Sequence, residues 1–486
     1  MGRITVDRTG TDHMTDVRDR AAHASAQPLS ELSAEEHIHG ICFKTGPPAA
    51  IGVELEWLVC HPDDLTSPVD HQRVTEALAG LTAAGELPGS GRLTIEPGGQ
   101  VEVSSAPAAA IGSCVTSTGR DLAAVREAVE SAGFRLVGRG VDPYRPPSRI
   151  LDLPRYAAME EFFDRRGPWG RVMMCSTASV QVSVDAGDDG DGPGSYRWRW
   201  RLLHAIGPIL VAAFANSPLR AGQPTGWKST RQAVWSRLDP GRTRAPAGAE
   251  PGLPGDDWLG SPRGPGDPRT AWADYALDAQ VLCIRRAESE QWTAPPGLTF
   301  RDWLRGGGER PPTVADLTYH LSTLFPPVRP QGHFELRVID AQPGQGWIVP
   351  AAVVSALVDD PIAARAAMDA AELVWREPAG LAGLHSGPDG FRGGPGRFRG
   401  GSASSRPGPD GRRAAGIPPG PWLRAARSGL DDPAIAEATR ACFEAAGAAL
   451  RRAAAPAAIR DQVTDFAEAY VLRGRCPADD LLEETR

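Results

Sequence analysis

The stretch IGVELEW, residues 51–57, alternates apolar and polar residues in the way expected of a β-strand. Successive side chains of a strand point to opposite faces, so Ile51, Val53, Leu55 and Trp57 would share one face. Glu54 and Glu56 would then lie together on the other face. This segment predicts a sheet with one apolar side and one acidic side.

Three more segments show the same alternation. Residues 93–105 predict a strand, a Pro-Gly-Gly turn and a second strand, with Glu96 directly before the turn. Residues 177–185 and 333–340 predict two further strands. The polar faces of these strands carry mainly acidic or amide side chains, namely Gln100, Glu102, Ser104, Gln181, Ser183, Asp185, Glu335 and Arg337.

A sheet face that only met water would produce polar alternation as well, so each strand taken alone is open to that interpretation. A water-facing sheet usually mixes Lys, Thr and Ser with its acids, whereas these strands contain no Lys. Like charges on neighbouring strands destabilise a sheet, and bound divalent cations would remove that cost. Oxygen ligands suit Mg²⁺ or Mn²⁺, which typically joins carboxylates to the phosphates of a nucleotide. The candidate metal ligands are Glu54, Glu56, Glu96, Glu102 and Glu335.

A second group of candidate residues follows a strongly apolar helix predicted over residues 198–215. Arg231 and Arg242 lie in a segment broken by Gly and Pro, and such loops commonly carry binding residues. A guanidinium group binds carboxylates and phosphates with two parallel hydrogen bonds. Ordinary surface arginines on a solvated loop are an equally good interpretation of this segment by itself.

The composition limits the class of protein. The chain has 486 residues and a formal net charge of −8, which does not favour nucleic-acid binding. Its seven cysteines are dispersed without any CxxC pair, so we expect reduced thiols and a cytoplasmic location. No secretory signal is visible in residues 1–50, and the most apolar segment, residues 202–215, is too short to span a membrane.

The order of the predicted elements indicates an α+β fold with an antiparallel or mixed sheet, since strands dominate the front and middle of the chain. Helices are predicted over about residues 350–377, 431–455 and 459–473. We expect a flexible leader over residues 1–30 and a single catalytic domain over residues 31–486. Pro/Gly-rich insertions are expected at about 239–270 and 383–421. The second insertion contains RGG-like repeats, which leaves RNA binding by this tract as an alternative function.

Five segments together carry a resemblance to a known family. They are IGVELEW (51–57), LTIEPGGQVEVSSAP (93–107), MMCSTASVQVSVD (173–185), ANSPLRAGQPTGWKSTRQAVWSRLDPGRT (215–243) and FPPVRPQGHFELRVIDAQP (325–343). In this order they resemble the glutamate–cysteine ligase family of the plant-like type. The similarity is greatest to the bacterial form that supplies γ-glutamylcysteine for ergothioneine synthesis. Members of the plant branch use disulfides for redox control, and the dispersed cysteines of this chain match no such pair.

The resemblance implies a fold related to glutamine synthetase, in which an antiparallel sheet curls into a funnel with helices packed outside. It implies ATP-dependent ligation of the γ-carboxylate of L-glutamate to L-cysteine through a γ-glutamyl phosphate, with Mg²⁺ as cofactor and Mn²⁺ as a possible substitute. The implied metal and ATP side comprises Glu54, Glu56, Glu96, Glu102, Gln181 and Glu335. The residues implied to hold substrate carboxylates and phosphates are Arg231, Trp235, Arg242 and Arg337. Glu54, Arg231 and Arg337 are the expected catalytic residues.

Two other functions share most of these features. A related carboxylate–amine ligase with a different amine acceptor would have the same fold and ATP site. A non-catalytic homologue would have lost some of the acidic residues, which are all present here. The expected partners are the small-molecule substrates glutamate, cysteine and ATP, without nucleic acid or membrane.

Overall fold

The structure is a computed structural model, and it describes residues 29–46, 50–83, 85, 87–251, 267–287, 289–376 and 420–485. The predicted leader lies outside the described residues except for its last two positions. Most of the two predicted Pro/Gly-rich insertions also lies outside them. The described ends of the first insertion contain a short helix at Pro240–Thr243 and the start of another at Pro268.

The strands follow the predicted alternation closely. In chain order they are β1 (Ile51–Cys60), β2 (Arg92–Ile95), β3 (Val101–Ser104), β4 (Arg135–Val137), β5 (Ser179–Asp185), β6 (Leu219–Arg220), β7 (Gln223–Pro224), β8 (Val328–Pro330) and β9 (His333–Asp340). The main sheet has the order β2-β3-β1-β5-β9-β8, and β4 pairs with the far end of β1. All of these pairings are antiparallel. The predicted combination of an antiparallel sheet with many helices is confirmed.

Helices account for most of the remaining described chain. They are α1 (Glu31–Cys42), α2 (His71–Ala83), α3 (Ile111–Ser131), α4 (Pro154–Asp164), α5 (Trp169–Ser176), α6 (Tyr196–Ala213), α7 (Thr230–Trp235), α8 (Pro240–Thr243), α9 (Pro268–Asp278), α10 (Phe300–Asp302), α11 (Val314–Leu321), α12 (Ile348–Asp359), α13 (Pro361–Trp375), α14 (Pro421–Ser428), α15 (Pro433–Arg452), α16 (Ala457–Ala469) and α17 (Pro477–Glu483). None of the helices in these described ranges combines the length and the apolar character needed to cross a bilayer.

The prediction of one long helix over about residues 350–377 is wrong in one respect, because the chain forms two helices there. Helix α12 ends at Asp359 and α13 begins at Pro361. The Asp360 carboxylate accepts hydrogen bonds from the backbone N–H groups of Ile362 and Ala363 and so caps the second helix. Proline at the first helical position has no N–H to lose there, which favours a new start over a continuous helix.

The main core lies on the apolar face of the sheet. Helices α3, α6 and α12 pack against β1, β9 and β5 respectively. The odd-numbered side chains of β1 and the valines of β3 and β5 are buried there, together with nearly the whole of α12. Burying each such aliphatic side chain stabilises the fold by about 1.5–3 kcal/mol relative to exposure.

A smaller apolar cluster forms near the other face of the sheet, from α4, α5 and α7. It contains Phe162, Phe163 and Met173, with Tyr156 and Trp235 packed against it. Helix α7 also reaches the sheet, because the Arg231 guanidinium donates to the main-chain carbonyl of Arg337 on β9 at 2.8 Å. The polar face of the sheet is therefore partly covered by these helices.

Candidate active site

The strand register brings the predicted polar residues next to one another. On β1, Glu54 lies opposite Gln181 of β5, and Glu56 lies opposite Glu102 of β3. Strand β9, which carries Glu335, is the next neighbour of β5. The side chains of Glu54, Glu56 and Glu102 are half-buried, while Gln181 and Glu335 are buried. Four strands that are far apart in sequence thus form one acidic surface.

Hydrogen bonds link the middle of this surface across three strands. The Gln181 amide donates from Nε2 to Oε1 of Glu56 at 2.8 Å. Its carbonyl oxygen accepts from Nη1 of Arg337, and the same nitrogen donates to Oε1 of Glu335 at 2.8 Å. Gln181 therefore connects the acidic residues of β1 to the arginine of β9.

Glu335 differs from the other acids because two arginines compensate its charge. Arg329 donates from Nε to Oε2 at 2.6 Å and from Nη2 to Oε1 at 3.1 Å, and Gln331 donates to Oε2 at 3.2 Å. Burial acts to raise the pKa of Glu335, but Arg329 and Arg337 outweigh it and hold that pKa well below its usual range. Glu335 is therefore ionised in the folded protein.

The other four glutamates have pKa values shifted in the opposite direction. Burial, followed by the charges of Glu335 and Glu102, raises the pKa of Glu54 well above its usual range. Burial and the charges of Glu102 and Glu56 do the same for Glu96, which directly follows β2 and precedes the turn. Burial and the charge of Glu56 raise the pKa of Glu102 to about 7. Burial also raises the pKa of Glu56. This part of the surface holds more negative charge than nearby cations neutralise.

These carboxylates have the chemistry of a site for a hard divalent cation, which prefers oxygen ligands. Within the described ranges, no three Asp, Glu, His or Cys side chains are arranged as a ready-made set of ligands. The residues that could hold such a cation are Glu54, Glu56, Glu96 and Glu102.

Arg231 is placed against the acidic surface. It is 1% exposed, and its guanidinium stacks on the Trp235 ring with 4.7 Å between Cζ and the ring centroid. Only Nη2 has a hydrogen-bond partner among the described residues, while Nε and Nη1 are buried and unpaired. The charges of Arg231 and Arg337 oppose the effect of burial on the Glu56 pKa, so both lie near that carboxylate. Buried unpaired N–H groups of a cation are the arrangement that an anionic substrate would complete.

A buried network fixes the position of Arg231. The Asp340 carboxylate, at the end of β9, accepts from the Asn216 backbone N–H at 2.9 Å, from Ser217 Oγ at 2.7 Å and from Ser229 Oγ at 3.0 Å. The backbone N–H of Arg231 donates to Ser217 Oγ at 3.2 Å. Such a satisfied buried network holds its members rigidly, which explains why this Gly- and Pro-containing segment presents Arg231 in one position.

Arg242 is not brought to the acidic surface. It is fully buried, donates to the main-chain carbonyl of Thr323 at 2.6 Å and to that of Gln280, and pairs with Asp239 at 3.5 Å. Its guanidinium also lies 4.6 Å from the centroid of the Phe162 ring. These contacts join α8 to neighbouring loops, and a role of Arg242 in substrate binding stays a prediction.

The side chain of Gln100 stabilises the turn that follows Glu96. Its amide donates to the Thr177 carbonyl at 2.8 Å, and its carbonyl oxygen accepts from the Gly98 backbone N–H at 3.0 Å. Gly98 lies so close to the backbone of Cys175 that a Cβ at this position would be 2.2 Å from the Cys175 carbonyl oxygen. Glycine at position 98 therefore permits the close packing that places Glu96.

Sequence reasoning missed two residues that shape this site. Arg329 faces Glu335 across the β8–β9 hairpin, in direct register. Asp340 organises the segment that carries Arg231. The tight turn at Gln331–Gly332 could have indicated the first pairing, since register in a short hairpin follows from the turn. No local signal marks Asp340, because its partners are more than 100 residues away in the chain.

A model of glutamate-cysteine ligase family 2 (GCS2) matches residues 50–385, which include every residue of the acidic surface. The chain belongs to this family. Relatives named glutamate–cysteine ligase EgtA are 39% identical over 360 residues in Mycolicibacterium smegmatis and 38% identical over 363 residues in Mycobacterium tuberculosis. The alignments cover 72% and 73% of this chain and 79% of each relative. A chloroplastic glutamate–cysteine ligase of Medicago truncatula is 29% identical over 342 residues, which cover 66% of this chain and 63% of that one. The predicted membership of the glutamate–cysteine ligase family is confirmed.

Proposed function

We propose that this protein is an ATP-dependent glutamate–cysteine ligase, which joins the γ-carboxylate of L-glutamate to the amine of L-cysteine. The family and the names of the bacterial and plant relatives support this reaction. The single structural observation that carries it is the proximity of two opposite features. Four half-buried glutamates with raised pKa values form one acidic surface, and one of them, Glu56, lies near Arg231, which has two buried, unpaired nitrogens.

The chemistry requires activation of the γ-carboxylate, because the oxide leaving group of a carboxylate is too poor for an amine to displace. A γ-carboxylate oxygen of glutamate attacks the γ-phosphorus of ATP, and ADP leaves. The amine of cysteine then attacks the carbonyl carbon of the γ-glutamyl phosphate, loses a proton and displaces inorganic phosphate. Both steps are accelerated mainly by positioning and by neutralising charge.

The chain's own residues supply these two effects. The free Nε and Nη1 of Arg231 are suited to bind a substrate carboxylate or the phosphoryl oxygens. Arg337 is held between Gln181 and Glu335, so its guanidinium is fixed before substrate arrives. The Trp235 ring covers the face of Arg231 and limits its rotation. Preorganised cations of this kind stabilise charge without reorganising during the reaction.

Glu54, Glu56, Glu96 and Glu102 are the residues that we propose to hold Mg²⁺, for which Mn²⁺ is a possible substitute. When bound, the metal would neutralise the triphosphate and the crowded carboxylates together. Glu335 was predicted as a further ligand, but both of its oxygens already accept from arginine. We therefore propose that Glu335 contributes chiefly by orienting Arg337.

Further features belong to the same proposal. A funnel-shaped curl of the sheet would enclose the substrates, and it is supported by the apolar cluster of α4, α5 and α7 on the far side of the polar face. A single catalytic domain over residues 31–486 is supported by the packing of α1 on α9 and of α15 on α13 and α6. Supply of γ-glutamylcysteine to ergothioneine synthesis is proposed from the resemblance, and a cytoplasmic location from the seven free cysteines.

The decisive experiment measures ADP release with ATP, Mg²⁺ and glutamate, with and without cysteine. We expect cysteine-dependent release and γ-glutamylcysteine in the product by mass spectrometry. Release stimulated instead by another amino acid, in a panel of amines, would assign the protein to a related carboxylate–amine ligase. Absence of release in every mixture, from folded protein, would overturn the catalytic proposal.

A further inference from the structure

Residues 215–231, called the arginine segment below, lead to the arginine that lies against the acidic surface. Helices from the end of the chain hold this segment at two points. At its start, the Ala215 carbonyl accepts from the backbone N–H of Ala478 in α17 at 2.9 Å. Near its end, the backbone N–H of Ser229 donates to the Ala426 carbonyl in α14 at 2.9 Å. The helices α14 and α17 therefore fix the backbone of the arginine segment on both sides of the β6–β7 hairpin.

An ion pair reinforces the contact near the end of the segment. Nζ of Lys228 pairs with the carboxylate of Asp479 in α17, and with that of Asp431 at 3.3 Å. The Lys228 and Asp479 side chains are only 12% and 18% exposed, whereas Asp431 is 64% exposed and its pairing is screened by water. Burial acts to lower the pKa of Lys228, but Asp479 outweighs it and raises that pKa. Asp479 is therefore the main partner of Lys228.

Close packing surrounds this ion pair. The small apolar cluster next to it consists of Ala215, Cys476 and Ala478. Gly429 directly follows α14 with a φ of +56°, and a Cβ at this position would lie 3.2 Å from Cγ of Lys228. The Asp479 carboxylate also accepts from the backbone N–H of Cys476 at 3.0 Å and so caps α17. The pair is thus held in one arrangement by the helices that supply it.

Hydrogen bonds continue from the ion pair to Arg231. The Lys228 carbonyl accepts from the backbone N–H of Ser217 at 3.1 Å, and the Ser217 hydroxyl accepts from the backbone N–H of Arg231 at 3.2 Å. Ser229, next to Lys228, donates from Oγ to Asp340 at 3.0 Å. A displacement of Lys228 would therefore disturb both hydroxyls through which Asp340 holds the arginine segment.

The same ion pair could serve only to attach α17 to the rest of the protein. The position of the contacts argues for more than attachment. The ion pair and two main-chain hydrogen bonds from the C-terminal helices end on Lys228 or Ser229, within three residues of Arg231. One of these bonds joins the Lys228 backbone N–H to the Arg427 carbonyl at 3.3 Å. The helices that make these contacts lie outside the range that the family model matches.

We propose that Lys228 and Asp479 are positioning residues of the ligase, which hold Arg231 against the acidic surface by fixing the backbone that leads to it. This inference rests on the proposed ligase function. It makes the C-terminal helices part of the catalytic unit, although the residues of the acidic surface lie on other elements. Without the ion pair, Nε and Nη1 of Arg231 would no longer be fixed in the geometry that the reaction needs.

The first test removes the charge of Asp479 and keeps its shape. Asp479→Asn retains an oxygen that can cap α17. We expect kcat to fall about tenfold with little change in the KM for ATP, because positioning is lost and not a binding contact. Asp480→Asn is the matched control on the same helix, since its carboxylate pairs with Arg475 at 2.7 Å and not with Lys228. Its kcat should equal that of the wild type.

Hydrogen exchange read by mass spectrometry measures the arginine segment independently of turnover. The backbone N–H groups of residues 228–232 should exchange about fivefold faster in Asp479→Asn, since local opening is easier without the ion pair. Exchange in residues 51–60 of β1 should stay unchanged, as should both regions in Asp480→Asn. Lys228→Met removes the same ion pair from its other side and should reproduce the result. Thermal unfolding checks that each variant is folded.

A double variant separates positioning from general stabilisation. Arg231→Lys keeps the positive charge but lacks the planar fork of N–H donors that needs exact placement. If Asp479 acts through Arg231, Asp479→Asn should lower kcat by less than about twofold when it is added to Arg231→Lys. A full tenfold loss in that background would show that the ion pair acts by another route and would overturn the proposal.

The remaining outcomes are equally decisive. Unchanged exchange of residues 228–232 in folded Asp479→Asn and Lys228→Met shows that the ion pair does not hold the segment. Faster exchange with a normal kcat shows that Arg231 does not depend on it. Either result overturns the proposal. If the wild-type protein forms no product with any amine, the ligase function fails, whereas faster exchange in the variants would still establish that the ion pair holds the arginine segment.

Discussion

The acidic surface has two halves, one on β8 and β9 and one on β1 and β3, which differ in how far positive charge compensates their carboxylates. On the β8–β9 side, Glu335 is buried and its pKa is held low by Arg329 and Arg337. On the β1–β3 side, Glu54, Glu56 and Glu102 repel one another, and burial raises their pKa values. The carboxylate of the first half is fully compensated by arginine, whereas the carboxylates of the second half lack enough positive charge nearby. The comparison supports the proposal that the first half is a rigid support and that a metal and its nucleotide bind at the second.

The largest effect on turnover is expected from removing a carboxylate of the uncompensated half, on β1 and β3. Glu54→Gln should lower kcat by on the order of 100-fold, because the metal and triphosphate lose one compensating charge. Product formation by mass spectrometry at saturating ATP and Mg²⁺ measures this. Glu127→Gln, at an exposed position on α3, is the matched control and should retain normal turnover. Near-normal kcat in Glu54→Gln would remove the proposed metal role of Glu54.

Removing an arginine from the compensated half, on β8 and β9, should lower the free energy of unfolding. Arg329→Met leaves Glu335 with one cation fewer in a buried place, which should destabilise the fold by about 3 kcal/mol. Chemical denaturation measures the free energy of unfolding. The double variant Arg329→Met/Glu335→Gln should regain part of the loss, since the uncompensated charge is also removed. Equal stability of Arg329→Met and wild type would contradict the contrast between the two halves.

The two halves should change the stability of the fold in opposite directions as the pH rises. The pKa of Glu102 is raised to about 7 from 4.5, so the folded state takes up its proton more readily than the unfolded state. Its contribution is therefore present below pH 4.5 and is lost as pH rises through 7, by about 3 kcal/mol without metal. The depressed pKa of Glu335 gives the opposite behaviour, with stability lost only in acid below pH 4.5.

Thermal unfolding between pH 4 and pH 8, with and without Mg²⁺, measures this prediction. We expect Mg²⁺ to stabilise the protein mainly above pH 7, where the carboxylates are ionised. Glu102→Gln should flatten the loss on the alkaline side and reduce the Mg²⁺ effect. A Mg²⁺ effect that is independent of pH would show that these carboxylates are not the ligands.

The smallest effect concerns a hydrogen bond at the edge of the uncompensated half. Thr94 Oγ1 donates to Glu102 at 2.7 Å and so favours the ionised carboxylate. Thr94→Val should raise the pKa of Glu102 further, by an amount equivalent to about 1 kcal/mol. We expect a two- to threefold lower rate at pH 7 that recovers at pH 8.5. Thr116→Val, on α3, is the control, since its hydroxyl donates only to the Gly112 carbonyl.

The sequence by itself determined which residues form strands and which face of each strand is acidic. Alternation with period two is a local property, so Glu54, Glu56, Glu102 and Glu335 could be assigned to polar faces before any strand had a neighbour. The family resemblance then supplied the reaction. The end of α12 was also encoded locally, at Asp360 and Pro361, although the apolar pattern across that boundary suggested one helix.

Tertiary structure decided which of these acids are compensated. Arg329 and Arg337 both reach Glu335, and Asp340 holds the segment of Arg231 across more than 100 residues of chain. It also placed Arg242 among backbone carbonyls and away from the acidic surface. Charge compensation depends on distances between side chains from different elements, and these distances exist only after the strands have paired and the helices have packed.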